Sequence, residues 1–238
     1  MIFRILLGSL VLVSSVASAD STADTAVHYT LEATSVTSYV WRGNLLSEGR
    51  AAPAVQPYGE LDIDAPSLHG ARIAGGVWTS RLVTGDATAQ EIDPYLWVQV
   101  PIGDFAIRGG YTAYVLPDLE PKDAMHEFLG QVSWNATPAL AAVGGIAVDP
   151  IRTHGIYGFA GAVYVRTLGK TTLTTSANVG ASDYAMQPSN LQDVTLLARG
   201  AYTMNDAGMY FALTAVAAYS GRAEQIYPYV GVGLGISK

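Results

Sequence analysis

The sequence predicts an all-β protein, a closed, antiparallel, up-and-down transmembrane β-barrel of about twelve strands. Three observations support this prediction. Apolar and polar residues alternate with a period of two along most of the chain, hydrophobic residues make up 50% of it, and charged residues make up only 14%. Beyond the first nineteen residues, no segment holds the roughly eighteen consecutive apolar residues of a spanning helix. Alternating strands account for this combination, because each strand exposes only every second residue to lipid.

The first nineteen residues have the organisation of a bacterial export signal. Arg4 supplies a charged region, the run from Ile5 to Val13 supplies a short apolar region, and Ala17-Ser18-Ala19 matches a cleavage site. The apolar run is about half as long as a spanning helix. We therefore expect a signal peptide over residues 1–19 and one barrel domain over residues 20–238.

The period of two assigns one face of each strand to lipid and the other to the interior. Val98 is expected to face lipid and Gln99 the interior. Further on, Tyr157 is expected to face lipid and Arg166 the interior. Strands are expected at 26–41, 54–63, 71–81, 91–101, 105–116, 125–135, 139–149, 155–166, 171–182, 193–203, 209–219 and 225–237.

The connections between these segments alternate in length for most of the chain. Short periplasmic turns and longer outer loops are typical of outer-membrane barrels. An even number of strands places both termini on the periplasmic side, and closure removes the unpaired strand edges. The sequence therefore predicts a protein of the bacterial outer membrane, with lipid and the barrel-assembly machinery as its expected partners.

Composition and motifs exclude several other classes of function. The formal net charge of −7 is the wrong sign for a nucleic-acid-binding protein, and the chain has no cysteine for thiolate chemistry. The four histidines have no metal-ligand spacing, and no catalytic motif is complete. We therefore expect no enzyme activity, no catalytic residue, no cofactor and no metal site. A barrel enzyme that acts on lipid through a hydroxyl and a histidine is a less favoured alternative.

Nearly all ionisable residues within the predicted strands have inward parity. A charge that faces lipid at the midplane costs about 2–4 kcal/mol, so these side chains are expected to line the lumen. They could pair with one another and close the barrel, or they could line a charged pore. The candidates are Glu32, Glu60, Asp62, Arg72, Glu91, Asp93, Arg108, Glu127, Arg166 and Arg199.

Four of these acids form the sharpest local feature, namely Glu60, Asp62, Glu91 and Asp93. Their carboxylates could bind a cation. Pairing with the arginines of neighbouring strands, Arg72 and Arg108, is the favoured alternative.

One stretch resembles the first hairpin of a proteobacterial family of uncharacterised outer-membrane proteins, named Gcw_chp or TorF-like. A strand in this family ends with tyrosine, an aromatic residue and Arg-Gly, and the next strand begins with Pro-Ala and a glutamine. The corresponding positions here are Ser38, Tyr39, Trp41, Arg42, Gly43, Pro53 and Gln56. The resemblance implies a membrane barrel, and it brings no catalytic residues with it.

A narrow, porin-like channel for small solutes is the favoured function. Small residues predicted to face inward, among them Ala74, Gly76, Ala160 and Ala162, would leave space in the lumen. The alternative is a closed structural or interaction barrel whose outer loops bind a partner. Strand number does not separate the two, because twelve lies between packed eight-stranded barrels and open sixteen-stranded porins.

Overall fold

The computed structural model describes residues 26–42, 44–45, 52–83, 90–117, 124–183 and 189–238. The predicted signal peptide, residues 1–19, lies outside them. The described residues form fourteen strands and one short 3-10 turn, Pro66–Leu68. The strands are β1 (Val27–Val36), β2 (Val40–Trp41), β3 (Asn44–Leu45), β4 (Ala54–Ala65), β5 (Ala71–Leu82), β6 (Gln90–Ile102), β7 (Phe105–Tyr114), β8 (Met125–Thr137), β9 (Leu140–Asp149), β10 (Gly155–Leu168), β11 (Thr171–Ser182), β12 (Ser189–Thr203), β13 (Met209–Ser220) and β14 (Gln225–Ser237).

Twelve of the strands in the described residues close into one antiparallel barrel, which confirms the predicted fold class. Each strand pairs with its sequence neighbours, and β1 closes the ring by pairing with both β4 and β14. The remaining two, β2 and β3, have two residues each and pair as a hairpin in the connection between β1 and β4. At one end of the barrel the strands are joined by short turns, and residues 26 and 238 also lie there. We call this the short-turn end and the opposite end the loop end.

Alternation within each strand separates an apolar outer wall from a polar inner one. In β6, Leu96 and Val98 are exposed on the outer wall, whereas Trp97 is buried and Gln99 half-buried on the inner wall. Large exposed apolar side chains recur on the outer wall of every barrel strand in the described residues. A soluble monomer rarely exposes so extensive an apolar surface, whereas a membrane barrel requires it. The described residues contain no α-helix that could span a bilayer.

The strand boundaries agree with the prediction within two residues, except at the end of β1 and at the start of β12, which begins at Ser189 and not at residue 193. The predicted first strand runs to residue 41, but β1 ends at Val36 and the chain then leaves the wall. Tyr39 and Val40 continue the apolar pattern in the sequence, and the prediction of a longer strand was wrong for this reason. Their side chains pack inside the barrel and not along its wall.

The inward and outward faces of β10 are the reverse of the prediction. Tyr157 and Phe159 are buried in the interior, while Tyr164 and Arg166 are exposed on the outer wall. A period of two shows that successive residues alternate, but a one-residue shift exchanges the two faces. Both faces of β10 carry apolar residues, so the alternation alone could not choose between them.

Inward rings lie over glycines of the neighbouring strands. A Cβ atom added to Gly76 would meet the ring of Tyr95, and one added to Gly145 would meet the ring of Phe159. These glycines therefore leave room for rings against the wall, not for open lumen. The expectation that Ala74, Gly76, Ala160 and Ala162 leave lumen space is wrong: Ala74 packs beside Trp97, Gly76 lies under Tyr95, and both Ala160 and Ala162 face outward.

Candidate functional site

A segment of the first loop crosses the lumen at the loop end. This crossing segment, Thr37–Arg42, follows β1 directly, and the backbone N–H of Thr37 donates to the carbonyl oxygen of Val230 at 2.9 Å. Ser38, Tyr39, Val40 and Arg42 are all buried. In the order of strands around the barrel, β9 lies opposite β1 and is flanked by β8 and β10. The crossing segment spans this whole distance, because Arg42 contacts side chains of β8 and β10.

Arg42 is held by a buried carboxylate and an aromatic ring. Its Nη2 atom lies 2.7 Å from Oε1 of Glu127 and 3.0 Å from Oε2. The Arg42 and Glu127 side chains are 0% and 1% exposed, so the ion pair is fully removed from water. The guanidinium carbon lies 3.9 Å from the centroid of the Tyr157 ring, a cation–π contact. Arg42 also has a φ of 46°, a left-handed conformation that costs a non-glycine residue about 1–3 kcal/mol.

Tyrosine hydroxyls extend this network to two more strands, β7 and β12. The Tyr114 hydroxyl of β7 donates to Oε2 of Glu127 at 2.9 Å, and the Tyr157 hydroxyl of β10 donates to the Asp193 carboxylate of β12 at 3.0 Å. Both hydrogen bonds have a buried carboxylate as their acceptor. Side chains of β7, β8, β10 and β12 therefore converge on the position that Arg42 occupies.

The near half of the crossing segment is anchored by a polar contact and by apolar packing. The Tyr39 hydroxyl donates to Oε2 of Glu91 on β6 at 2.7 Å, and its ring lies 5.5 Å from that of Trp78 on β5. Tyr39 and Val40 belong to a buried apolar cluster that draws on six strands of the wall. Its members on those strands include Val36, Ala54, Trp78, Leu82, Leu197, Val216, Ala218 and Tyr229. The crossing segment thus fills part of the loop end with side chains.

Below the crossing segment, Glu60 and Arg108 share Trp97 as a partner. Glu60 accepts hydrogen bonds from the Tyr95 hydroxyl at 2.9 Å and from Nε1 of Trp97 at 3.1 Å. The Arg108 guanidinium lies 4.4 Å from the Trp97 ring centroid and donates to Oε1 of Gln99 at 2.8 Å. Trp97 therefore lies between a carboxylate at its N–H and a guanidinium at its face, and it links the two charges.

Glu32 reaches over β14 to contact the strands beyond it. Its Oε2 atom lies 2.6 Å from Nη2 of Arg199 and also accepts a hydrogen bond from the Tyr210 hydroxyl. The inner face of β14 presents glycines, and a Cβ atom added to Gly233 or Gly235 would meet Glu32 or Tyr210 respectively. These glycines are therefore required for the side chains of β1, β12 and β13 to meet across β14.

At the short-turn end, two carboxylates share one arginine. Arg72 forms ion pairs with Asp62 and, at 3.1 Å, with Asp64. His28 adds a contact of 3.0 Å from its Nε2 atom to Asp64. The ligand atoms of His28, Asp62 and Asp64 lie within 4.8 Å of one another, a spacing that would suit a metal ion. Because Arg72 already supplies positive charge to both carboxylates, they have a counter-charge without an ion.

Nine of the ten predicted lumen-lining residues lie on inward faces, and Arg166 does not. Arg166 is exposed on the outer wall, two residues before the end of β10 at the short-turn end, because the faces of that strand are exchanged. At a strand end, an outward charge costs only about 0–1 kcal/mol.

The predicted acidic cluster is separated into different contacts along the barrel. Asp62 pairs with Arg72, Glu60 binds Tyr95 and Trp97, and Glu91 binds Tyr39. Pairing with a neighbouring arginine therefore applies to Asp62.

Three further acids face inward that the sequence analysis did not include. Asp64 was assigned to a turn, Asp193 was taken as a strand start, and Asp149 was taken as a strand end. Asp193 and Asp149 are both 0% exposed. Asp64 lies one residue beyond a predicted strand, and Asp149 and Asp193 are terminal residues of predicted strands, so inward parity applied as far as these positions would have identified them. The role of Arg42 could not have been identified this way, since its partners lie more than 80 residues away in sequence.

The residues of the hairpin motif are divided between the lumen and the rim. Ser38, Tyr39 and Arg42 are buried in the crossing segment, Gln56 is buried on the inner face of β4, and Pro53 is exposed before it. The side chain of Trp41, and Gly43 as a whole, lie outside the described residues. The motif therefore supplies the buried groups that cross the barrel.

The fold and the lumen together define a twelve-stranded barrel with an apolar outer wall and a charged interior. Among solved structures it is similar to the KdgM porin, with 8% identity over 87% of this chain and 98% of that one and a TM-score of 0.58. The NanC porin gives 11% identity, the same two coverages and a TM-score of 0.56. The translocator domain of the autotransporter NalP from Neisseria meningitidis gives 12% identity over 98% and 93%, with a TM-score of 0.50. At these identities the likeness shows the fold alone.

The chain belongs to the Gcw_chp family of bacterial proteins of unknown function, whose family model matches residues 20–230. This confirms the resemblance inferred from the hairpin motif. No curated protein matches the sequence.

Proposed function

We propose that this protein is an outer-membrane channel for small solutes, with a narrow lumen that favours cations. The observation that carries the proposal is the fixed charge of the inner wall. Among the described residues, nine inward carboxylates face four inward arginines. The carboxylates belong to Glu32, Glu60, Asp62, Asp64, Glu91, Asp93, Glu127, Asp149 and Asp193, and the arginines are Arg42, Arg72, Arg108 and Arg199.

An excess of carboxylates along a pore attracts cations and repels anions. Two structural neighbours, the KdgM porin and the NanC porin, support a channel for a barrel of this fold. The third neighbour, a translocator domain, has a different role on a similar fold, so the charge of the lumen carries more weight than the likeness.

The test is ion selectivity before and after two wall charges are removed. In planar bilayers, the double variant Glu91→Gln/Asp93→Asn should lose part of the cation preference of the parent. A matched control is Asp104→Asn/Glu224→Gln, which removes two exposed acids outside the strands. The control should retain the parental reversal potential. Equal effects of the two double variants would show that the inner wall does not set selectivity.

A closed structural or interaction barrel is the second candidate, and the crossing segment favours it. Ser38, Tyr39, Val40 and Arg42 are buried inside the loop end, where an open pore would expose them. Replacing residues 38–42 with glycine and serine removes this filling and tests the two candidates. A channel should gain conductance, whereas a barrel closed along its whole length should stay silent.

The proposal also includes the export of the protein and its location in the outer membrane. We propose that residues 1–19 are a signal peptide removed after Ala19, that residues 20–238 fold with the barrel-assembly machinery, and that outer-membrane lipid surrounds the apolar outer wall. N-terminal sequencing of protein from fractionated membranes tests this. A chain that starts at Met1, or one recovered from the inner membrane, contradicts it.

The proposal assigns no catalysis to the barrel. Two of its histidines have side-chain partners, with His28 bonded to Asp64 and His126 bonded to the Tyr111 hydroxyl at 2.6 Å. Neither contact is the serine–histidine pair that an acyl-transfer enzyme uses. Incubation of the pure protein with labelled phospholipid and lipopolysaccharide should release no product.

A further inference from the structure

The position that Arg42 occupies has the features of a cation-binding site built into the barrel wall. Glu127 supplies a carboxylate that is oriented by the Tyr114 hydroxyl at 2.9 Å. Tyr157 supplies a ring face, and its hydroxyl is held by Asp193 at 3.0 Å. These groups come from β7, β8, β10 and β12, so their positions are set by the barrel and not by the loop. Tyr157 and Asp193 are 0% exposed, and Glu127 is 1% exposed.

The chemistry of this site matches a guanidinium group in particular. Two contacts, of 2.7 Å and 3.0 Å, join Nη2 of Arg42 to the two Glu127 oxygens. The guanidinium carbon also lies over the Tyr157 ring, 3.9 Å from its centroid. A guanidinium group can pair with a carboxylate and lie over an aromatic ring at the same time, whereas a spherical metal ion does not combine these two contacts.

The occupant belongs to a different part of the structure from the site. Arg42 arrives at the end of a segment that crosses the lumen from β1, and it adopts a φ of 46° to do so. A non-glycine residue in this conformation stores backbone strain, which the contacts of its side chain must offset. The wall residues need no such strain, since they lie within regular strands.

We infer that the site formed by Tyr114, Glu127, Tyr157 and Asp193 binds guanidinium-bearing solutes, and that Arg42 is its tethered occupant. This inference deepens the proposed function by naming the class of cation that the lumen recognises. A tethered group has an effective concentration in the millimolar range, so a free solute must compete with Arg42 for the site. The solute that displaces Arg42 also releases the far end of the crossing segment.

The test removes the tethered occupant and supplies a free one. Arg42→Ala leaves the Glu127 carboxylate buried without its guanidinium, and methylguanidinium is the probe that replaces it. The variant is refolded in detergent with and without the probe, and folded barrel is measured by its mobility on unheated gels and by its thermal unfolding. At a concentration ten times its Kd, a bound ligand raises the ratio of folded to unfolded protein about elevenfold.

Three controls separate this site from general effects of the probe. Potassium at the same ionic strength should not protect Arg42→Ala. The double variant Arg42→Ala/Glu127→Gln, which carries no buried charge in this pair, should fold but should not respond to methylguanidinium. Arg222→Ala, which removes an exposed arginine in the connection before β14, should behave as the parent does and show no response.

Protection of Arg42→Ala that disappears in the double variant supports the inference. If Arg42→Ala does not fold alone, recovery of folded barrel by methylguanidinium supports it equally, and failure to recover contradicts it. Protection that persists in the double variant, or that is as large in the parent, places the binding elsewhere and overturns the inference. These measurements need no conducting pore, so they can fail or succeed independently of the channel proposal.

Discussion

The outer wall of β6 offers a direct test of whether lipid surrounds the barrel. Leu96 lies at the middle of the strand and Ile102 at its end, and their side chains are 53% and 54% exposed. Equal exposure means that both positions meet the same amount of surrounding medium. They differ in depth, so Leu96→Arg and Ile102→Arg form a matched pair that reports on the medium alone.

The expected difference follows from the length of strand between the two positions. Six residues at about 3.3 Å each separate them by about 20 Å along the strand. With a strand tilt of about 40°, this is about 15 Å in depth, slightly more than half of an apolar band about 25 Å tall. Leu96→Arg should therefore lose about 2–4 kcal/mol of unfolding free energy and Ile102→Arg about 0–1 kcal/mol.

The assay is reversible denaturant unfolding of both variants and the parent in lipid vesicles. A loss at Leu96 that clearly exceeds the loss at Ile102 supports burial of the wall in lipid. Two equal and small losses would mean that water surrounds the strand at both depths, and this would refute the membrane assignment.

Two further substitutions test how the interior is packed. Tyr39→Phe removes the hydrogen bond to Glu91 and should cost about 1.5–3 kcal/mol, measured by thermal unfolding, because the acceptor is a buried carboxylate. Gly76→Val should cost about 1–3 kcal/mol, because the added Cβ atom meets the Gly59 carbonyl oxygen and the Tyr95 ring, whereas Gly109→Val, where an added Cβ atom meets nothing within 4 Å, should cost much less. Equal costs for the two valine variants would show that the glycine under Tyr95 has no packing role.

Most of the fold could be predicted because the lipid and the lumen impose opposite polarities on successive residues. In β6 the outward Leu96 and Val98 contrast with the inward Gln99, and the alternation gave both the strand and its faces. In β10 the alternation predicted the strand but assigned its inward and outward faces the wrong way round. There the interior accepts Tyr157 and Phe159, because glycines on adjacent strands leave room for their rings. That room depends on strand register, which the sequence of one strand does not contain.

The site could be predicted in its charges but not in its connections. Inward parity identified Glu91 and Glu127, since a charge in a strand must avoid lipid. It did not indicate that Tyr39 and Arg42 would reach them. The contact between Arg42 and Glu127 joins residues 85 positions apart, and it depends on the chain leaving the wall after Val36. Local alternation carries no information about such a long-range contact.

The reversal potential in a potassium chloride gradient across a planar bilayer tests the central claim most directly. It should be measured for the parent and for the variant in which residues 38–42 are replaced with glycine and serine. A cation-favouring channel partly closed by the crossing segment predicts small parental conductance, larger conductance in the variant, and a potential of the sign set by potassium in both. A potential of the sign set by chloride, or silence in both proteins, would contradict the account.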